Sequence, residues 1–158
     1  MIKLTLSKLS TIRFGEIEYE DADRITFQNG IVGFPNLQSF LILNVKEGSP
    51  FRWLQSIDDP SFAMLMSEPL HFLKEYDPTI QSCDQQLIEL TPGTTPLRFV
   101  TVSIPAGRPQ EMTLNLSGPI IINPINRKAI QVVLSEDSYT SKHRVFPETT
   151  AGVQASAA

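Results

Sequence analysis

Chemistry needs particular side chains at particular spacings, and this chain has few candidates. The metal-ligating types are His71, His143, Cys83 and scattered carboxylates. Zinc sites group such residues in short patterns such as C-x2-C or H-E-x-x-H, because one turn of chain must bring several ligands onto one ion. Neither pattern occurs, and both histidines read as surface residues. Cys83, in "QSCDQQ", would need a neighbouring base to act as a thiolate nucleophile. None accompanies it, so it reads as a free structural or half-exposed cysteine. Ser56, in "LQSID", lacks the G-x-S-x-G elbow. Asp58-Asp59 could do acid–base work in a cleft. Adjacent strand residues point to opposite faces, however, and a turn before Pro60 explains both aspartates. Gly30 and Gly33, in "GIVGF", have no strand-to-helix context for a phosphate and read as turn glycines. The residues therefore predict no reaction centre, no metal site and no cofactor.

The elements that would position any site come from a chain of 158 residues, long enough to bury a core without disulfides or metals. Its formal charge is 13 − 17 = −4. An acidic chain is a poor grip for phosphate backbones, and the densest basic spots, "INRK" and "SKHR", are short. Direct nucleic-acid binding is not expected. One cysteine excludes an intrachain disulfide, and no secretory signal is visible, which points to the cytoplasm. No apolar run approaches the roughly 18 residues of a membrane span.

Alternation and β-branched residues dominate. "TIRFGEIEYE" (11–20) reads as a strand bent or bulged at Gly15; "RITFQNG" (24–30) ends in a strong turn signal; "SFLILNV" (39–45) is apolar on both faces. "FRWLQSIDDPSFAMLMSEP" (51–69) reads as two strands joined at Asp58-Asp59-Pro60, with Trp53 in the core. A short helix is expected at 70–82, where Leu70, Leu73 and Tyr76 have helical spacing and Pro78 stops it. Strands follow at 86–91, 97–104, 112–116, 119–123 and 129–134. The expectation is a mainly β fold: a small antiparallel β-barrel-like domain, closed or partly open, over 1–147, with at most one or two short helices and a sandwich as the alternative. The tail 148–158, small and polar, is expected to be mobile.

At this level the residues give an acidic, β-rich binding or structural domain. Three further strings are more specific: "ITFQNGIVGFPNLQSFLIL", "PFRWLQSIDDPSFAMLMSEPLHFLKEYDPTI" and "MTLNLSGPIIINPINRKAIQVVLSEDSYTSKH". Together they are similar to the FliW family of flagellar assembly factors. The matching positions are Phe27, Gly30-Ile31, Gly33-Phe34, Phe40, Pro50-Phe51, Leu54-Gln55-Ser56, Pro69, Tyr76, Asn115-Leu116, Pro119-Ile120, Asn123, Gln131 and Tyr139, in order, within about Thr11 to Phe146. Two features depart from the family pattern. "AMLMSEP" stands where a valine-rich strand and an acidic "DP" are usual, and the tail after Phe146 is long.

The resemblance implies a small β-barrel-like protein without catalysis. It implies two protein partners: flagellin, and CsrA, a dimeric RNA-binding repressor of translation. Binding CsrA relieves repression without covering its RNA site, and free flagellin competes for the factor. No membrane or nucleic-acid partner is implied. The free protein is expected to be monomeric.

The expected contact region is Glu68, Pro69, His71, Phe72, Tyr76 and Asp77, where aromatic anchors sit in a polar rim. The alternative is that Phe72 and Tyr76 plug one end of the barrel. Gln55 and Asn115, polar residues within apolar strands, could cross-link strands or face a partner, and each should have a hydrogen-bond partner. Glu16, Glu18, Glu20, Asp21 and Asp23 form either an acidic contact edge or a solvated strand face. The competing function is a small-molecule-binding barrel, with the Trp53 strand lining its cavity.

Overall fold

The computed structural model describes residues 6–135 and 139–146. The tail expected at 148–158 lies outside them.

The first element is a hairpin, β1 (Leu6–Thr11) and β2 (Gly15–Glu20), paired from Leu6–Glu20 to Thr11–Gly15. Gly15 has φ +68° and ends the three-residue loop. It is the left-handed residue such a loop requires, so the expected continuous strand is instead two strands. Thr11 Oγ1 closes the loop, donating to Gly15 O at 2.9 Å and accepting from Phe14 N at 2.8 Å.

Seven strands close a ring. They are β3 (Ile25–Phe27), β4 (Ser39–Asn44), β5 (Phe51–Ser56), β6 (Ala63–Ser67), β7 (Leu97–Ser103), β9 (Ile120–Ile122) and β10 (Lys128–Gln131). Each is antiparallel to the next, except β10 on β3, which is parallel. The β7–β9 pairing, Leu97–Ile122 to Phe99–Ile120, closes what the sequence leaves closed or partly open. Two short strands, β8 (Thr113–Leu114) and β11 (His143–Arg144), extend from β7 as a flap.

Alternation aims one row of each strand into the ring. Ile25, Phe27, Phe40, Leu54, Met66, Phe99, Ile120 and Ile122 fill it, with Phe27 and Phe40 edge-on at 5.2 Å. The opposite row of β4 is covered too. Leu41 packs with Leu9 and Tyr19 of the first hairpin, which explains the two-sided apolar run at 39–45.

The β5–β6 hairpin forms as expected, from Phe51–Ser67 to Gln55–Ala63. Asp59 holds its turn, and Asp58 ties that turn to the start of β4. Asp58 Oδ2 accepts from Gln38 N at 2.7 Å and Ser39 N at 2.9 Å. Asp59 Oδ1 accepts from Ser61 N at 3.0 Å and Ser61 Oγ at 2.6 Å, which lowers the Asp59 pKa below its ordinary value.

Trp53 is not in the core. Leu54 takes the interior face of β5, so Trp53 lies half-buried on the outside. It packs edge-on against Phe14 at 5.7 Å, and the Arg13 guanidinium sits 4.4 Å above its ring. Ser56, on the same row as Leu54, is buried in the turn, its Oγ accepting from Asp59 N at 2.9 Å.

The helix also falls elsewhere. Up to residue 81 the segment holds only a 3-10 turn, Pro69–His71, and looser turns after it. The α-helix, α1, is Ser82–Leu87, overlapping the strand expected at 86–91. Tyr76 is drawn into the core, and Asp77 precedes Pro78, which disfavours helical φ and ψ there. After α1, Glu89 takes the left-handed conformation that ends helices. Asn123 Nδ2 holds that end by donating to Ile88 O at 2.9 Å and Glu89 O at 3.1 Å, and Ile88 caps the outer face of β9 and β10 with Ile121 and Val132.

Candidate functional site

The 68–77 segment crosses from the end of β6 to the flap, and its residues divide into two sets. The first is structural. Pro69 is buried and starts the 3-10 turn, its carbonyl accepting from Phe72 N at 3.0 Å and Leu73 N at 2.9 Å. Tyr76 is buried against Val100, Leu114 and Leu116, with Tyr139 edge-on at 4.8 Å. Its hydroxyl donates to Leu116 O at 2.7 Å. Phe72 is half-buried between Phe51, at 5.9 Å, and His71, at 4.8 Å. Tyr76, read from the sequence as a contact residue, is 1% exposed and anchors the segment; Pro69, read the same way, starts the turn and lines the cavity beside Leu70.

The second set is exposed: Glu68, Leu70, His71, Lys74, Glu75 and Asp77. Leu70 is 48% exposed and Leu97 43%. Both line a shallow cavity of about 250 Å³ with Pro69, Pro96 and Arg98. Ion pairs flank this apolar centre. Arg52 lies 3.9 Å from Glu68 and Arg98 lies 3.5 Å from Asp77. The Asp77 amide donates to the Tyr139 hydroxyl at 3.1 Å. An apolar centre with a charged rim is the anatomy of a protein-binding patch.

A second cavity, of about 440 Å³, adjoins Glu68. Arg52, Arg127, Leu97 and Phe99 line it with Glu18 and Asp23 of the acidic hairpin edge. Part of that edge is neutralised within the chain. Glu16 pairs with Lys8 at 3.9 Å, Asp21 with Arg24 at 3.3 Å, and Asp23 caps Glu20 N at 2.9 Å. Glu18 is left without an ion-pair partner among the described residues, while Glu68 faces Arg52, so this side carries mixed charge.

Asn115 does its work elsewhere. Its Oδ1 accepts from Ser117 N at 3.2 Å and Ser117 Oγ at 3.0 Å, holding the turn before Pro119. The turn is tied down by Gln131, whose Nε2 donates to Gly118 O at 3.0 Å and whose Oε1 accepts from Val32 N at 2.9 Å. Gln131 thus links the Gly30–Phe34 loop to the 115–119 turn. In that loop Gly30 (φ +67°) and Gly33 (φ +87°) are both left-handed, and Phe34 packs on Phe62 at 4.7 Å. Pro119 is buried, its carbonyl accepting from Val132 N at 2.9 Å. Gln55 is fully buried with its Nε2 on the carbonyls of Ser56, Pro60 and Phe62, at 2.9, 3.2 and 3.1 Å. Gln55 thus has the hydrogen-bond partners expected of a polar residue in an apolar strand, while its Oε1 has none among the described residues.

Leu70, Leu97, the Arg52–Glu68 and Arg98–Asp77 pairs, and the Arg13–Trp53 stack were not legible in the sequence. Only Leu70 carried a signal: an apolar residue between a proline and a histidine. Among the described residues no cluster of three or more His, Cys, Asp or Glu could hold a metal ion, and no helix is long and apolar enough to cross a membrane.

Comparison with known proteins places this architecture. The family model described as "FliW protein" matches residues 8–145. A flagellar assembly factor FliW of Caldanaerobacter subterraneus subsp. tengcongensis is 39% identical over 142 residues, covering 89% of this chain and 94% of that one. The flagellar assembly factor FliW 2 of Desulfotalea psychrophila is 35% identical over 130 residues, covering 82% and 85%. A crystal structure of the flagellar assembly factor FliW superposes with a TM-score of 0.83 at 29% identity, over 90% of this chain and 99% of that one. With the barrel, the Gly30–Gly33 loop and the Leu54-Gln55-Ser56 strand all in place, the chain belongs to the FliW family of flagellar assembly factors.

Proposed function

We propose that this protein is a non-enzymatic regulator that binds two protein partners in the cytoplasm, flagellin and the RNA-binding repressor CsrA. Holding CsrA relieves repression of flagellin translation, and free flagellin takes the factor back. The observation that carries the reading is the Leu70–Leu97 patch, an apolar centre rimmed by Glu68 and Asp77, on a chain of this family. The chain's net charge of −4 suits CsrA, whose own RNA-binding role demands cationic surface, and the rim's Glu68 and Asp77, each beside an arginine, can exchange that partner for one on CsrA. The factor acts as a monomer when free.

The small-molecule alternative finds less support. It needs a cavity lined by the Trp53 strand: side chains such as Phe27, Phe40, Leu54 and Met66 fill the ring interior with no exposure, and the cavity that Trp53 does line, about 410 Å³, is a cleft bordered by the exposed Ile104.

Isothermal titration of this protein into the host's CsrA, repeated with flagellin present, tests the reading. Binding that flagellin abolishes is the expected result. Binding to flagellin alone would remove the regulatory arm, and binding to neither would overturn the reading.

A further inference from the structure

Strands β6 and β7 pair for only part of their length. The ladder holds at Met66–Thr101 and Ser67–Val100. Continued in that register, it would set Leu65 against Val102, Met64 against Ser103 and Ala63 against Ile104. It stops, although β6 stays on β5 as far as Ala63 and β7 stays on β8 through Val102 and Ser103. The two strands splay, and a cavity of about 410 Å³ opens where the ladder would have run. Its lining is Trp53, Ala63, Met64, Leu65, Thr101, Val102 and Ile104.

An open strand edge presents unpaired N–H and C=O groups, and proteins usually guard such edges with lysine, proline or a bulge. This one is walled by apolar side chains, with Ile104 46% exposed and Trp53, Ala63 and Leu65 half-buried. Backbone hydrogen-bonding capacity beside alternating apolar seats is what a peptide adding as a strand requires. Beside the cleft, the Arg13 guanidinium sits 4.4 Å above the Trp53 ring and is itself exposed. Among the described residues it has no carboxylate partner, whereas Arg24, Arg52, Arg98 and Arg108 each have one.

We propose that this cleft accepts an extended peptide segment as an added strand, with apolar side chains seated by Trp53 and Ile104 and a carboxylate on Arg13. The inference rests on the two-partner reading and assigns this surface within it. A repressor that binds RNA presents cations, which Arg13 repels; the flagellin supplies the segment. The Leu70–Leu97 patch, whose rim holds carboxylates as well as arginines, is left to the cationic partner.

Hydrogen exchange of the full-length protein with purified flagellin, and in parallel with purified CsrA, tests this together with titrations of Arg13→Glu, Ile104→Asp and Arg13→Lys. Both sites are exposed, and circular dichroism checks that each variant folds. Flagellin should slow exchange at 63–65 and 102–104. Arg13→Glu and Ile104→Asp should each weaken flagellin binding at least about tenfold, as loss of an interface anchor does. Arg13→Lys should keep it, and CsrA affinity should stay within about twofold. Unchanged flagellin affinity in both variants, with protection elsewhere, overturns the cleft while leaving the partner reading intact. So does equal loss of both partners, or self-association of the free protein that Ile104→Asp abolishes, which would give the edge to a second copy. A wild-type protein that binds neither partner overturns the partner reading and this inference with it.

Discussion

Tyr76 and Leu116, forty residues apart, are joined by a buried hydrogen bond: the Tyr76 hydroxyl donates to the Leu116 carbonyl at 2.7 Å. The bond fastens the 68–77 segment to the flap and leaves only its outer residues for a partner. Tyr76→Phe should cost about 1–3 kcal/mol by orphaning a buried carbonyl. Tyr76→Ala should cost about 3–5 kcal/mol through the cavity it leaves. Urea unfolding followed by fluorescence measures both. A loss of under about 0.5 kcal/mol for Tyr76→Ala would return this side chain to the surface.

The exposed patch should behave in the opposite way. Glu68→Arg and Leu70→Arg should leave the melting temperature within about 1–2 °C of wild type, since neither side chain is buried. CsrA binding should fall by at least about tenfold. Titration against CsrA, with melting curves of the same samples, separates the two effects. Unaltered affinity in both variants would remove the patch from the interface.

The two loop glycines carry different burdens. A Cβ on Gly30 would lie 2.5 Å from the carbonyl oxygens of Phe34 and Pro35, while one on Gly33 meets nothing within 4 Å. Gly33→Ala should therefore cost only the left-handed backbone penalty, about 1–2 kcal/mol. Gly30→Ala should cost clearly more, because backbone must move as well. Equal melting temperatures for the two variants would contradict this geometry.

Gln131→Leu removes both bonds that tie the Gly30–Phe34 loop to the 115–119 turn. Exchange at the Val32 amide should quicken by about tenfold, matching a net loss near 1.5 kcal/mol. Exchange read by NMR would show it, and an unchanged Val32 rate would mean that other contacts hold the loop.

Acid sensitivity has a defined contributor at Asp59, whose carboxyl is held below its ordinary 3.8 by the side-chain and then the backbone hydrogen bond from Ser61. A group whose pKa is lower folded than unfolded stabilises the fold above the unfolded value, and that stabilisation fades as pH falls through the folded value. Ser61→Ala should lower the melting temperature above pH 3.8 and converge on wild type in stronger acid. A difference that persists at about pH 2 would assign the effect of Ser61 to packing.

The sequence determined a good deal without the tertiary structure. Alternation placed β4, β5, β6 and β7 nearly to the residue, and Asp58-Asp59-Pro60 and Asn29-Gly30 marked their turns. These signals are local: a pleated strand repeats every two residues, and a turn is set by four. The motif strings led to the FliW family for the same reason, since they record many positions at once. Which face of β5 points inward was not local. Phe51 and Trp53 alternate with Arg52, Leu54 and Ser56, and only ring closure put Leu54 inside and left Trp53 beneath Arg13. The 70–82 periodicity was likewise genuine but overruled. Tyr76 is worth more buried on Leu116 than held on an isolated helix, and a helix that short is marginal without tertiary packing. The splay between β6 and β7 is a relationship between strands thirty residues apart. Nothing in "AMLMS" or "LRFVTVS" alone says that their ladder stops halfway.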